Sequence, residues 1–240
     1  MFKSFLILVL FICLSANFYS QGFNLPSKGL QVFNFNDTQE RNQATFYSEA
    51  HYENITGLTN DVWGKVSFDI KDVKSTLNGE VSISTSSIKT GIEKRDEHLR
   101  SVSWLNSEKY PNITFRIKEI TQINQIEDNL LKIVLLGEFS LHGKINLVYA
   151  NATMKYLVES ETTKQIMPGD LVSIEAKFEI KLSEFGITNS LIGNRVNDKI
   201  LITAKLIGSN NNFFKKRPVT FYVTGLYKRG RRDSNSRPPA

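Results

Sequence analysis

The stretch Val172-Ser173-Ile174-Glu175-Ala176-Lys177-Phe178-Glu179-Ile180-Lys181-Leu182 alternates apolar and polar residues without a break. Successive side chains of a strand point to opposite faces, so one face of this segment meets an apolar interior and the other meets water. The same rule extends outward in both directions. Ile113, Phe115 and Ile117 alternate with Thr114 and Arg116, and Ile133, Leu135, Phe139 and Leu141 share one face. Val66, Phe68 and Ile70 share another, Val81 and Ile83 continue the pattern, and Ile200, Ile202, Ala204 and Leu206 repeat it. Residues 29–35 and 43–53 read as weaker strands. Turn signals stand at Asn78-Gly79, His142-Gly143, Pro168-Gly169 and Gly193-Asn194. Eight or nine strands at hairpin-like spacing predict an all-β, antiparallel barrel or sandwich. Full closure would remove the sheet edges. Only residues 92–105 read as helix, about three turns, with Ile92, Leu99 and Val102 as its apolar stripe.

The two ends read differently from the middle. Lys3 precedes the apolar run at residues 5–14, and Ser15, Ala16 and Ser20 are small. That is the layout of a secretory signal peptide, with cleavage expected after Ser20. The run is shorter than the roughly 20 residues a membrane span needs, so no stable span is expected after cleavage. The expectation is a secreted chain, periplasmic or extracellular. Cys13 is the only cysteine, so residues 21–240 have no thiol for a disulfide, a metal or nucleophilic attack. Residues 209–240 carry eight Lys or Arg against the single acid Asp233, a net +7 where the whole chain is +6. Everything before Ser209 therefore sums to −1. A nucleic-acid partner is not expected for the folded part, because its charge is near neutral. The basic tail lacks apolar periodicity and is expected to be disordered. Its Phe221-Tyr222-Val223-Thr224-Gly225-Leu226-Tyr227 suits one short strand. Residues 21–208 then form the domain.

Four stretches add a resemblance. They are Ser87-Ile88-Lys89-Thr90-Gly91 with Arg95-Asp96-Glu97-His98-Leu99-Arg100-Ser101; Tyr110-Pro111-Asn112-Ile113-Thr114-Phe115; Gly137-Glu138-Phe139-Ser140-Leu141-His142-Gly143; and Ser183-Glu184-Phe185-Gly186-Ile187. In this order they resemble the signature of the YceI-like family, the bacterial polyisoprenoid-binding proteins, over roughly residues 29–208. One departure follows Gly143, where Lys144-Ile145-Asn146-Leu147 replaces the family's usual Val-Thr-Lys-Pro. The resemblance implies an extended antiparallel, lipocalin-like β-barrel of about eight strands with one short helix near a mouth. It also implies a non-enzymatic binder or carrier whose partner is an amphiphilic lipid with a long isoprenoid or acyl chain.

Under that reading the inward phase supplies an apolar lining of Phe68, Ile83, Phe115, Ile117, Leu135, Phe139, Phe178, Ile180 and Ile202. Arg95, Asp96, His98 and Arg100 are the headgroup candidates, because an Arg fork suits a phosphate or carboxylate. Arg95 and His98 share a helix face at a spacing of three, Asp96 and Arg100 at four. A local reading stays open beside it: Asp96 and Arg100 pair along the helix, and His98 packs or caps. No catalytic residue, metal site or cofactor is expected. The three histidines, His51, His98 and His142, lack metal-site spacing, and no nucleophile elbow, phosphate loop or dinucleotide fingerprint is present. Two alternatives remain: an extracytoplasmic enzyme or redox accessory acting on an isoprenoid quinone through His98, and a ligand-free interaction module. Alternation cannot separate a filled tunnel from a packed core, since both need the same apolar face.

Overall fold

A computed structural model describes residues 21–211 of the 240-residue chain. The expected signal segment and the strand expected from Phe221 lie outside the described residues. Ten strands occur among the described residues: β1 (Leu30–Asn34), β2 (Gln43–Ser48), β3 (Ile55–Thr59), β4 (Val62–Asp69), β5 (Asn78–Ser84), β6 (Asn112–Glu127), β7 (Leu130–Leu141), β8 (Lys144–Leu157), β9 (Leu171–Lys181) and β10 (Lys199–Ser209). All neighbours are antiparallel, in the order β1-β4-β5-β6-β7-β8-β9-β10-β2-β3. A β1–β10 pairing at Asn34 and Ser209 closes eight of them into a barrel.

The opening stretch behaves as its alternation requires. Val172, Ile174, Phe178 and Ile180 are buried, while Lys177, Glu179 and Lys181 are exposed. Across the β9–β10 ladder Ile180 faces Ile200, Phe178 faces Ile202, Ala176 faces Ala204 and Ile174 faces Leu206. Such apolar cross-strand pairs are the unit of sheet stabilisation. In β6 the spacing changes from two to three at Ile117, Ile120 and Ile123. Three register irregularities against β7 absorb the extra residues, so Ile120 still faces Leu135 and Ile123 faces Ile133.

On the edge away from β9, strand β10 serves two partners. Its C-terminal end meets β1, and residues Leu201 to Lys205 pair with β2. The β2–β3 ribbon thus completes the wall beyond the short β1. Leu58 exchanges backbone hydrogen bonds with Lys89 at 2.8 and 2.9 Å, and the Thr59 and Ser87 hydroxyls meet at 2.6 Å. These contacts tie the ribbon back to the chain that follows β5. The expected strand over residues 43–53 is therefore shorter, ending at Ser48, and β3 follows a turn with exposed Tyr52. Asn78-Gly79 is not a turn: it lies inside β5, where a Cβ on Gly79 would sit 2.5 Å from Lys65 O. The β4–β5 connection is made instead by the short helix α1 (Val73–Thr76), capped by the Asp72 side chain. His142 and Gly143 do form the β7–β8 turn, both at positive φ (52° and 76°), as a two-residue hairpin requires.

One end of the barrel is plugged. Phe33 stacks on Phe68 at 5.1 Å, and Phe23 and Tyr156 complete the cluster, with Phe23 against Tyr156 at 5.7 Å. The Tyr156 hydroxyl donates to Asp170 Oδ2 at 2.5 Å, and Lys28 Nζ reaches the same oxygen at 2.5 Å. Burial, then the adjacent carboxylate, push the Tyr156 hydroxyl far above its usual range. Burial alone would raise Asp170. Hydrogen bonds from Lys28, Tyr156 and Glu159 N outweigh it, and its carboxyl falls below the ordinary carboxylate range.

Candidate ligand-binding site

Above the plug the barrel encloses a cavity of about 500 Å³, within the roughly 300–1,000 Å³ usual for small-ligand sites. Ile83, Phe115, Ile117, Leu135, Phe139, Phe178, Ile180 and Ile202 all line it. Phe68 does not. It has the inward phase, but it lies in the end layer, where the N-terminal Phe23 packs beside it. The ribbon adds Ala44, Phe46, Ile55 and Gly57 to the lining, and Trp104, Leu105 and Met154 also contribute. The periodicity of a single strand carries no signal for these, because tertiary closure brings them to the wall.

Two glycines make room for wall aromatics. A Cβ on Gly57 would stand 2.0 Å from Phe46 Cε1, and one on Gly137 would stand 2.3 Å from Phe115 Cζ. Phe115 and Phe139 each touch Phe178, at 5.4 and 5.1 Å between centroids. The middle of the cavity is thus bounded by an aromatic band.

At the other end stands α2 (Glu93–Arg100). It is about two turns long rather than three. Ser101 ends it, and residues 101–105 run on as turns. The expected stripe fails in part: Ile92 and Val102 are exposed, and only Leu99 packs against the core. The Asp96–Arg100 pair does not form. Asp96 is buried, and its Oδ1 accepts from Thr90 N at 2.7 Å and Thr90 Oγ1 at 2.5 Å. Its carboxylate turns inward because those donors belong to the chain just before the helix. Neither Asp96 nor Arg100 lines the cavity, whereas Arg95 and His98 both do.

Arg95 is held by the same threonine. Its Nε donates to Thr90 Oγ1 at 2.9 Å and its Nη2 to Thr90 O at 3.1 Å. Nη1 reaches Glu53 Oε1, on the β2–β3 turn, at 3.5 Å. Lys94 and Arg195 also line the cavity. The loop that carries Arg195 is anchored by Asn189 Nδ2 donating to Ser103 O at 3.3 Å and by Asn197 N donating to Ser48 Oγ at 3.0 Å. Glu53 and Arg195 lie far from α2 in the chain, and no spacing rule links them to it. The remaining histidines are elsewhere: His51 rests on exposed Tyr52, and His142 packs edge-on against Tyr110. Among the described residues no three His, Cys, Asp or Glu side chains gather closely enough to hold a metal ion.

The family model for the YceI-like domain matches residues 35–207. The chain belongs to the YceI-like family. A UPF0312 protein of Yersinia pestis is 32% identical over 143 residues, 58% of this chain and 67% of that one. Among solved structures, a polyisoprenoid-binding domain from Saccharophagus degradans aligns with TM-score 0.55 at 12% identity, covering 75% of this chain and 98% of its own. BcnA of Burkholderia cenocepacia aligns with TM-score 0.54 at 16% identity, covering 70% and 96%. The Campylobacter jejuni YCEI protein aligns with TM-score 0.52 at 19%, covering 66% and 86%. At these identities the likeness is one of fold: a closed antiparallel YceI-like barrel with few helical residues. Three of the stretches that carry the YceI-like resemblance meet in space. Tyr110 packs against His142 at 4.8 Å and closely against Gly143, and His142 Nδ1 lies 3.3 Å from Phe185 O. Three of the four stretches thus form one joint of the YceI-like barrel, between the β7–β8 turn, the start of β6 and the turn after β9.

Proposed function

We propose that this protein binds an amphiphilic lipid outside the cytoplasm, with a long isoprenoid or acyl chain inside the barrel and its polar group at the α2 mouth. The observation that carries the reading is the apolar cavity whose charged lining residues, Glu80 apart, lie on α2, on the β2–β3 turn and in the β9–β10 connection. Burying a chain there is favourable by roughly 25 cal/mol per Å² of apolar surface. An apolar wall discriminates poorly among chain chemistries, so orientation falls to a few polar groups at the mouth. The polyisoprenoid-binding domain of S. degradans shares the fold, which supports an isoprenoid as one candidate chain. Carriage or sequestration suits a site in which the apolar wall dominates and the polar groups stand at the rim.

The test is native mass spectrometry with organic extraction on the exported full-length chain. A co-purifying lipid of defined mass is the expected result. A bare protein mass that stays bare after incubation with prenyl and fatty-acyl lipids would overturn the reading in favour of a ligand-free module.

A further inference from the structure

We propose that the cavity mouth is built to seat an oxyanion, so that the amphiphile this barrel takes ends in a carboxylate or a phosphate monoester. The inference rests on the lipid-binding reading and specifies its ligand class.

Arg95 is oriented before any ligand arrives. Asp96 is buried and fixes both the backbone N–H and the hydroxyl of Thr90. Thr90 in turn accepts from Nε and Nη2 of Arg95. A guanidinium held from behind loses less side-chain entropy on gripping an anion, and a planar fork matches an oxyanion well. At Nη1 its one hydrogen-bond partner among the described residues is Glu53, at 3.5 Å. That distance is longer than a normal charge-assisted hydrogen bond, roughly 2.7–2.9 Å. Glu53 is itself more than half exposed, and such a pair contributes little. It is a weak resident in a place where a stronger anion fits.

The charge around the mouth agrees. Lys94 and Arg195, both exposed at the rim, also line the cavity, and neither side chain has a hydrogen bond or ion pair among the described residues. Two acids line it, Glu53 and Glu80, and Glu80 is already paired with Arg116 at 2.6 Å. The helix acids Glu93 and Glu97 do not line it. A neutral alcohol or amide headgroup would leave Arg95, Lys94 and Arg195 to water and to Glu53. An oxyanion would answer them and displace Glu53 from Arg95.

The experiment measures dissociation constants of the full-length protein for two matched pairs, farnesyl phosphate against farnesol and palmitate against hexadecanol. In at least one pair the anion is expected to bind about tenfold or more tightly than its alcohol, the scale of a hydrogen bond to a charged group. The pair that shows the preference distinguishes a phosphate from a carboxylate. Arg95→Gln is expected to bring that ratio towards one, and Glu53→Gln to raise it several-fold by removing the competitor. Taking the ratio within one preparation keeps folding out of the comparison. Should Arg95→Gln bind nothing, the Glu53→Gln arm decides alone. Alcohols that bind as well as their anions, or ratios unmoved by Arg95→Gln or Glu53→Gln, would overturn the oxyanion seat and leave lipid binding standing. Failure of all four probes to bind would overturn both.

Discussion

Asp37, in the connection from β1 to β2, accepts hydrogen bonds from Arg41 Nε at 2.7 Å, Arg41 Nη2 at 2.8 Å, Arg41 N at 2.9 Å and Gln39 N at 3.1 Å. The Arg41 side-chain bonds lead in holding its carboxyl down to about 2. A carboxyl lowered in the folded state stabilises the fold above the ordinary value near 4 and loses that contribution as pH falls towards about 2. Asp37 is buried, so the effect amounts to about 2 kcal/mol. Asp37→Asn should therefore cost about that much at pH 7, and the difference from the parent should shrink between pH 4 and 2. Urea unfolding at several pH values checks this; a difference independent of pH would refute it. Asp96 shows the limit of reading single residues. Its type and helical spacing suggested a surface pair with Arg100, but the nearest donors in the folded chain are both on Thr90. A buried carboxylate goes where its hydrogen bonds are, because leaving it unpaired costs more than any exposed pair returns.

Among the elements, strands were the most legible. Inward and outward positions of β7 and β9 follow directly from their alternating residues. The long β6 was legible only as far as Ile117, since bulges beyond it change the period. Residues 92–105 were over-read as helix because their charge density resembles a helical surface; the chain turns at Ser101 instead. Glycines within strands carry a further requirement that periodicity does not reveal. Gly137 takes an inward position opposite Ile117, and the Phe115 ring occupies the space where its side chain would be. Gly137→Ala should force that ring towards the cavity. The expected cost is about 1–3 kcal/mol, as for other overpacked sites, together with weaker lipid retention. Urea denaturation and lipid content of the purified variant measure the two effects, and an unchanged protein in both would show that Phe115 yields without consequence.

For the whole molecule, closure is the decisive event. Strand β1 meets β10 at a single registered pair, and the β2–β3 ribbon continues the wall beyond it. This arrangement leaves an enclosed space with the small pair Ala176 and Ala204 facing each other on its wall. Ala204→Phe should fill part of that space. Lipid occupancy by native mass spectrometry is then expected to fall, while the unfolding midpoint is retained or raised, since filling a void adds contacts. Loss of stability together with occupancy would mean that the wall has no room to give. Residue order alone was enough for the all-β class, the inward phase of β4, β5, β7, β9 and β10, the family and the stretch that approaches the mouth; it was not enough for β8, where Ile145, Leu147 and Tyr149 face outward. It took the folded barrel to separate Phe178, which bounds the cavity, from Phe68, which has the same phase but is packed in the plug. Folding also brings Glu53 and Arg195 to Arg95 in the cavity lining. The reason is geometric: alternation fixes the direction in which a side chain points, whereas depth along the barrel and the approach of the opposite wall depend on residues far away in the chain.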